Sequence, residues 1–232
     1  MSDLLINIFE DVPGVRAFTT TREAGNMRDM ARIADLLEQL GLGGREIVFP
    51  IQTHTNNVDI IKQVPAERSR DVDGSISALD NVALCSCHAD CTPLFFYDPV
   101  KRVIAMIHSG WKGTATRIGE VTSLKMQREF GCNPEDILVH VGVSISKCCF
   151  EIEEDVFSQF DEPEYTMRTL SDGTVKYNVD LKEYNKRMLM KTGIPADNIS
   201  ISEHCSCCET DTFFSYRAEH TDSRMISIIT LV

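Results

Sequence analysis

Basic residues are in short supply. Lys and Arg total 23 against 35 Asp and Glu, which gives a formal net charge of −12 over 232 residues. A general nucleic-acid binder needs a basic face, and binding to anionic lipid needs basic clusters, so neither partner is expected. No apolar run approaches the roughly 20 residues of a membrane span. The segment Met1 to Gly14 carries Asp3, Glu10 and Asp11 and no basic start, which is not the pattern of a signal peptide. Repeats, low-complexity tracts and linkers rich in Pro, Gly or Ser are also missing, so one domain over residues 1–232 is expected.

Histidine is scarce at six and tryptophan occurs once, whereas cysteine is plentiful at nine. Nine thiols cannot all pair within one chain. Without an export pattern they point to a reducing, cytoplasmic setting and mostly free cysteines.

Segments rich in β-branched residues predict strands at 47–51, 58–64, 82–87, 103–108, 137–143, 199–203 and 225–231. Several are almost wholly apolar, as strands covered on both faces are. Met27, Met30, Ile33, Leu37 and Leu40 recur at helical spacing between Asn26 as a cap and Gly41 as a stop. A second helix follows Gly113 and stops at Gly131. A third starts at Asp180, with Glu183 completing a capping box, and ends at Gly193. The polar stretches 65–73 and 161–176 read as surface loops. The pattern predicts an α+β fold with mixed, largely buried β-sheets flanked by helices. A lone Gly110-Trp111-Lys112-Gly113 is not a dinucleotide fingerprint.

Chemistry concentrates between Cys85 and Gly113. Cys91 precedes one apolar strand, His108 ends another, and His54 follows the apolar run that ends at Ile51. One thiolate and two imidazoles suit zinc, and three protein ligands leave a fourth position open for water or substrate. The spacing matches no compact zinc finger. On spacing alone, three unrelated polar residues at strand ends are the simpler account.

The segments QTH with His54, HADCTPL and HSGWKG resemble the signature of the YfiH-type laccase-domain family, also called multicopper polyphenol oxidases. TTREAGN, the acidic turn 71–74, VGVSISKCCFEIEEDVFSQF and FFSYRAEHTDSRMISII are similar to further family segments in the same order. The resemblance implies a YfiH-like fold with His54, Cys91 and His108 as metal ligands. It implies a zinc-dependent purine nucleoside phosphorylase acting on adenosine, inosine, guanosine and methylthioadenosine, with adenosine deaminase activity in the same site. Purine nucleoside and phosphate would be its small-molecule partners. The older family name leaves a copper polyphenol oxidase as the alternative, although a trinuclear copper cluster needs more histidines than the six present. A cysteine hydrolase with Cys91 as nucleophile and His108 as base is a further alternative. Val143, Phe150, Glu153 and Asp222-Ser223 depart from the family pattern, which bears on loop geometry and substrate preference.

Around the three ligands, Gly110 and Gly113 are candidates for close backbone approach to phosphate or ribose. Arg22, Arg217 and Arg224 are candidates for holding phosphate, and Gln52 for contacting substrate or orienting a ligand. Asp90 is the candidate hydrogen-bond acceptor for a metal-bound histidine and the first candidate general acid. His88 is a reserve ligand, and His140 reads as a core histidine. Trp111, Phe213, Phe214 and Tyr216 are candidates for stacking on a purine, with core packing as the commoner use. Cys205, Cys207 and Cys208 beside His204 read as buried or redox-tolerant thiols. A second metal site there requires the fold to bring Cys148 and Cys149 close.

Overall fold

The alternation of inward-facing side chains along the central strands organises the whole molecule. In this computed structural model, which describes residues 4–232, the strand Thr92–Asp98 turns Leu94 and Phe96 to one side and Phe95 and Tyr97 to the other. Val103–Ser109 does the same with Val103, Ala105 and Ile107 against Ile104 and Met106. All these side chains are buried. Two-sided burial requires a layer on each face, and the layers are present. Asp3, part of the N-terminal expectation, lies outside the described residues.

A six-stranded sheet runs in the order Ile199–Ile201, Leu138–Val141, Thr92–Asp98, Val103–Ser109, Gly74–Ser77, Val58–Ile61. A five-stranded sheet runs Leu5–Ile8, Val15–Thr20, Met225–Leu231, Val82–His88, Glu46–Val48. Both mix parallel and antiparallel pairs. Phe95, Tyr97, Ile104 and Met106 from the first sheet meet Val82, Leu84, Ile229 and Leu231 from the second in one core. The outer face of the six-stranded sheet packs on the helices Ile118–Phe130 and Leu181–Met190 through Ile118, Met126 and Leu189. The outer face of the five-stranded sheet packs on the helix Met30–Gln39 through Ile33, Leu36 and Leu37. The result is helix, sheet, sheet, helices: the α+β class with mixed, buried sheets that the strand and helix pattern predicted.

The helix boundaries shift slightly from expectation. Asp29, not Asn26, caps the first helix by accepting from Ala31 N. Asp180 caps the third through Lys182 N and Glu183 N, but its own N–H goes to Glu164 O, so the reciprocal half of the capping box is not made. The larger correction concerns residues 161–176. They contribute a hairpin, Tyr165–Thr169 with Val175–Val179, which joins Glu151–Ile152 in a three-stranded sheet. Tyr165–Thr169 is exposed along its length, so it carries no burial alternation for a sequence pattern to register. The strands Leu5–Ile8, Val15–Thr20 and Gly74–Ser77 are also additions to the expected set.

Candidate metal centre

Antiparallel pairing sets the first two candidate ligands. Thr92 pairs with Ser109 and Pro93 with His108, so Cys91, just before its strand, sits beside the end of the neighbouring strand that carries His108. His54 arrives on the loop between Ile51 and Val58, in a left-handed conformation with φ 64°. One ligand atom from each of His54, Cys91 and His108 lies within 4.8 Å of the others. Cys91 Sγ is 3.8 Å from His54 Nε2, and the two imidazole rings meet edge-on at 4.9 Å.

Asp73 builds this arrangement. It precedes the strand Gly74–Ser77, which pairs with Val103–Ser109, and its carbonyl accepts from His108 N at 2.7 Å. Its carboxylate accepts from His108 Nδ1 at 2.8 Å, from the backbone N–H of Thr53, His54 and Thr55 at 3.3, 3.0 and 2.7 Å, and from Thr55 Oγ1 at 2.8 Å. One buried carboxylate thus fixes the His108 tautomer, leaving Nε2 for a ligand, and holds the His54 loop. Burial alone would raise the Asp73 pKa, but the bonds from His108 and Thr55 hold it well below the usual carboxylate range. Burial also opposes charge on Cys91 and His108. Their mutual attraction, with Asp73 behind His108, draws the thiol down and the imidazole up.

A small residue is required opposite this triangle. A Cβ on Gly110 would lie 2.6 Å from His54 Cδ2 and 3.2 Å from Cys91 Sγ. Two nitrogens and one sulfur, oriented by a buried carboxylate and left room by a glycine, fit a zinc-type ion with an open fourth position.

The triangle forms part of the wall of a cavity of about 790 Å³, within the range of small-molecule sites. Arg28, Arg68, Arg217 and Arg224 line it, against one carboxylate among the described lining residues, Asp90. Arg68 spends Nε and Nη2 on the carbonyls of Phe49 and Pro50, and Arg224 spends Nη1 on those of Thr221 and Ser223. Trp111, Phe49, Phe150 and Tyr216 supply aromatic wall.

Several expected residues are placed differently. Asp90 accepts from Ser206 Oγ, Ser215 Oγ and Arg217 N, so it joins two loops and does not partner a candidate ligand histidine; Asp73 has that position. Arg22 lies away from the cavity lining, where Glu219, the Phe213 carbonyl and the Phe214 ring engage it. Gln52 lines the cavity while its amide pairs with both the N–H and C=O of Cys87. Gly113 is buried inside the short helix Trp111–Ala115, where a Cβ would meet Thr55 O at 3.0 Å, and it is absent from the lining. His88 bonds Ser227 Oγ between the sheets, and burial pushes its pKa down to about 3. His140 bonds Ser200 Oγ. Phe213 and Phe214 are core residues, leaving Trp111 and Tyr216 on the cavity.

Asp73, Arg28 and Arg68 were missed as site residues. The acidic turn at 71–74 was the available signal for Asp73. Nothing local marks the two arginines, because distant segments carry them to the cavity.

Comparison with known proteins agrees with this architecture. Residues 23–232 match the family model described as multi-copper polyphenol oxidoreductase laccase. The chain is 36% identical over 193 residues to purine nucleoside phosphorylase YlmD of Bacillus subtilis, covering 78% of this chain and 69% of that one. It is 31% identical over 243 residues to adenosine deaminase RL5 from an unknown prokaryotic organism, covering 91% and 92%. The crystal structure of the Bacillus licheniformis hypothetical protein YfiH superposes with a TM-score of 0.84 at 27% identity, covering 97% of this chain and 99% of that one. The chain therefore belongs to the YfiH-type, laccase-like family.

Proposed function

We propose that this protein is a zinc-dependent purine nucleoside phosphorylase whose site also deaminates adenosine. The observation that carries the reading is the coincidence, in one cavity, of a three-donor N, N, S triangle with four arginines in an otherwise acidic protein. Relatives named purine nucleoside phosphorylase and adenosine deaminase support it.

His54, Cys91 and His108 would hold the ion, and zinc when bound supplies Lewis acidity at the cavity wall. Arg28, Arg68, Arg217 and Arg224 would hold phosphate, since guanidinium groups match its oxygens. Trp111, Phe150 and Tyr216 offer apolar faces for a purine. In phosphorolysis a phosphate oxygen bonds to the ribose anomeric carbon as the carbon–nitrogen bond to the purine breaks. The bonding pair leaves with the base, which takes up a proton. The chain's main contribution is to place phosphate and nucleoside together. In deamination, water adds at C6 of the purine and ammonia leaves. Asp90 contributes by anchoring the backbone of Arg217.

The test is turnover of adenosine and inosine, with and without phosphate, by protein of measured metal content. Inosine is expected to give hypoxanthine and ribose 1-phosphate only with phosphate, and adenosine to give inosine without it. Cys91→Ser should lose the ion of the His54–Cys91–His108 triangle and both activities. Full turnover by Cys91→Ser with no ion at the triangle would contradict the zinc reading. Inactive Cys91→Ser beside full activity of metal-free wild type would favour the cysteine-hydrolase alternative.

A further inference from the structure

Two loops beside the cavity bring together cysteines that are far apart in sequence. Cys148 and Cys149 lie on the turn after Ser144, and Cys205 and Cys208 on the turn after the strand Ile199–Ile201. A backbone bridge between Ser144 and Cys205 and the bond from Ser206 N to Ser144 O at 3.1 Å join the two turns. Cys148 Sγ lies 3.6 Å from Cys149 Sγ, 3.7 Å from Cys205 Sγ and 3.5 Å from Cys208 Sγ, and Cys149 Sγ lies 3.3 Å from Cys208 Sγ. All four sulfurs fall within 4.8 Å of one another.

These separations are far longer than a disulfide bond of about 2.0 Å. They approach the edge of a tetrahedron with metal–sulfur bonds of about 2.3 Å, which is about 3.8 Å. The local backbone also suits a thiolate ligand. Ser146 N–H points at Cys205 Sγ at 3.4 Å, and Cys208 N and Glu209 N both fold back on Cys205 O in a tight Cys-x-x-Cys turn. Lys182, a buried cation, bonds the carbonyls of Ser202 and His204 on the same segment, which offsets negative charge there.

We propose that Cys148, Cys149, Cys205 and Cys208 form a second, closed metal site, a tetrathiolate centre for zinc distinct from the His54–Cys91–His108 triangle. Four protein sulfurs leave no position for substrate, so its role is structural. It cross-links the loop that carries Ile145 and Phe150 of the cavity wall to the turn whose Ser206 holds Asp90. Arg217 Nη1 donates to the carbonyls of Cys149 and Glu151, and Ser206 Oγ donates to Asp90. The site stands whether or not the protein turns over purine nucleosides.

Zinc content of the full chain, purified with a phosphine reductant and equilibrated with zinc, tests the proposal. Wild type should hold two zinc ions per chain. The double variant Cys149→Ser, Cys208→Ser should hold one, and so should His54→Ala, His108→Ala. With cobalt(II) in place of zinc, the histidine variant should keep strong thiolate charge-transfer absorption. Unchanged content in the cysteine variant, or a histidine variant that holds no zinc, would overturn the site. Should the cysteine variant not fold, alkylation of wild type decides. Added zinc should protect Cys148, Cys149, Cys205 and Cys208 together. Equal modification with and without zinc would overturn the proposal.

Discussion

Asp73 carries more of the candidate site than any other single residue, because its two oxygens receive His108 and the backbone of the His54 loop together. Asp73→Asn replaces one acceptor with a donor that faces other donors. Zinc affinity of the triangle should fall about 10- to 100-fold, read by chelator competition on protein that stays folded; unchanged affinity would remove Asp73 from the account. His88 allows a pH prediction. Its folded pKa of about 3 lies below the ordinary 6.5, mainly through burial. The neutral ring therefore stabilises the fold fully above about pH 6.5, and this contribution is lost as pH falls toward 3. Ser227 keeps Thr19 as a partner, so His88→Leu leaves it bonded. Denaturant unfolding should show a shallower loss of stability between pH 6.5 and 4 in this variant than in wild type, and equal slopes would contradict it. Sequence reasoning found the three donors because each stands beside an apolar strand or within a recognisable segment. It chose Asp90 over Asp73 because adjacency to Cys91 in the chain is visible and a carboxylate reaching across a strand pair is not.

At the level of elements, the strands buried on both faces were legible from their apolar runs, and the helices from their spacing, although the cap of the first lies at Asp29 and not at Asn26. The hairpin of Tyr165–Thr169 was not, since its side chains face water and its order comes from the ladder and from the Phe157–Tyr177 stack at 3.9 Å. Phe95 sits between the two large sheets with no exposure. Phe95→Ala should cost about 3–5 kcal/mol in denaturant unfolding. A cost near zero would mean that the two sheets do not share that core. The strand pair that begins beside Cys91 and carries His108 belongs to the same layer, so the candidate site is mounted on strands buried along their length.

Across the whole molecule, a net charge of −12 coexists with a cavity that four arginines line. Under the proposed function, an anionic substrate would meet a repulsive surface but an attractive pocket. Arg224→Gln should raise the phosphate KM about 10- to 100-fold, the scale of one lost charge-assisted hydrogen bond, with a smaller effect on the nucleoside KM. Equal effects on both would place Arg224 outside the phosphate subsite. The arginine lining was only partly legible, because it assembles from the segments at 28, 68, 217 and 224, whose proximity depends on how the sheets close. The most direct measurement is anomalous diffraction at the zinc edge from crystals grown with inosine and phosphate. The account predicts a peak bonded to His54, Cys91 and His108, with phosphate in the arginine-lined cavity beside it. Active crystals with no peak between those three residues would contradict it.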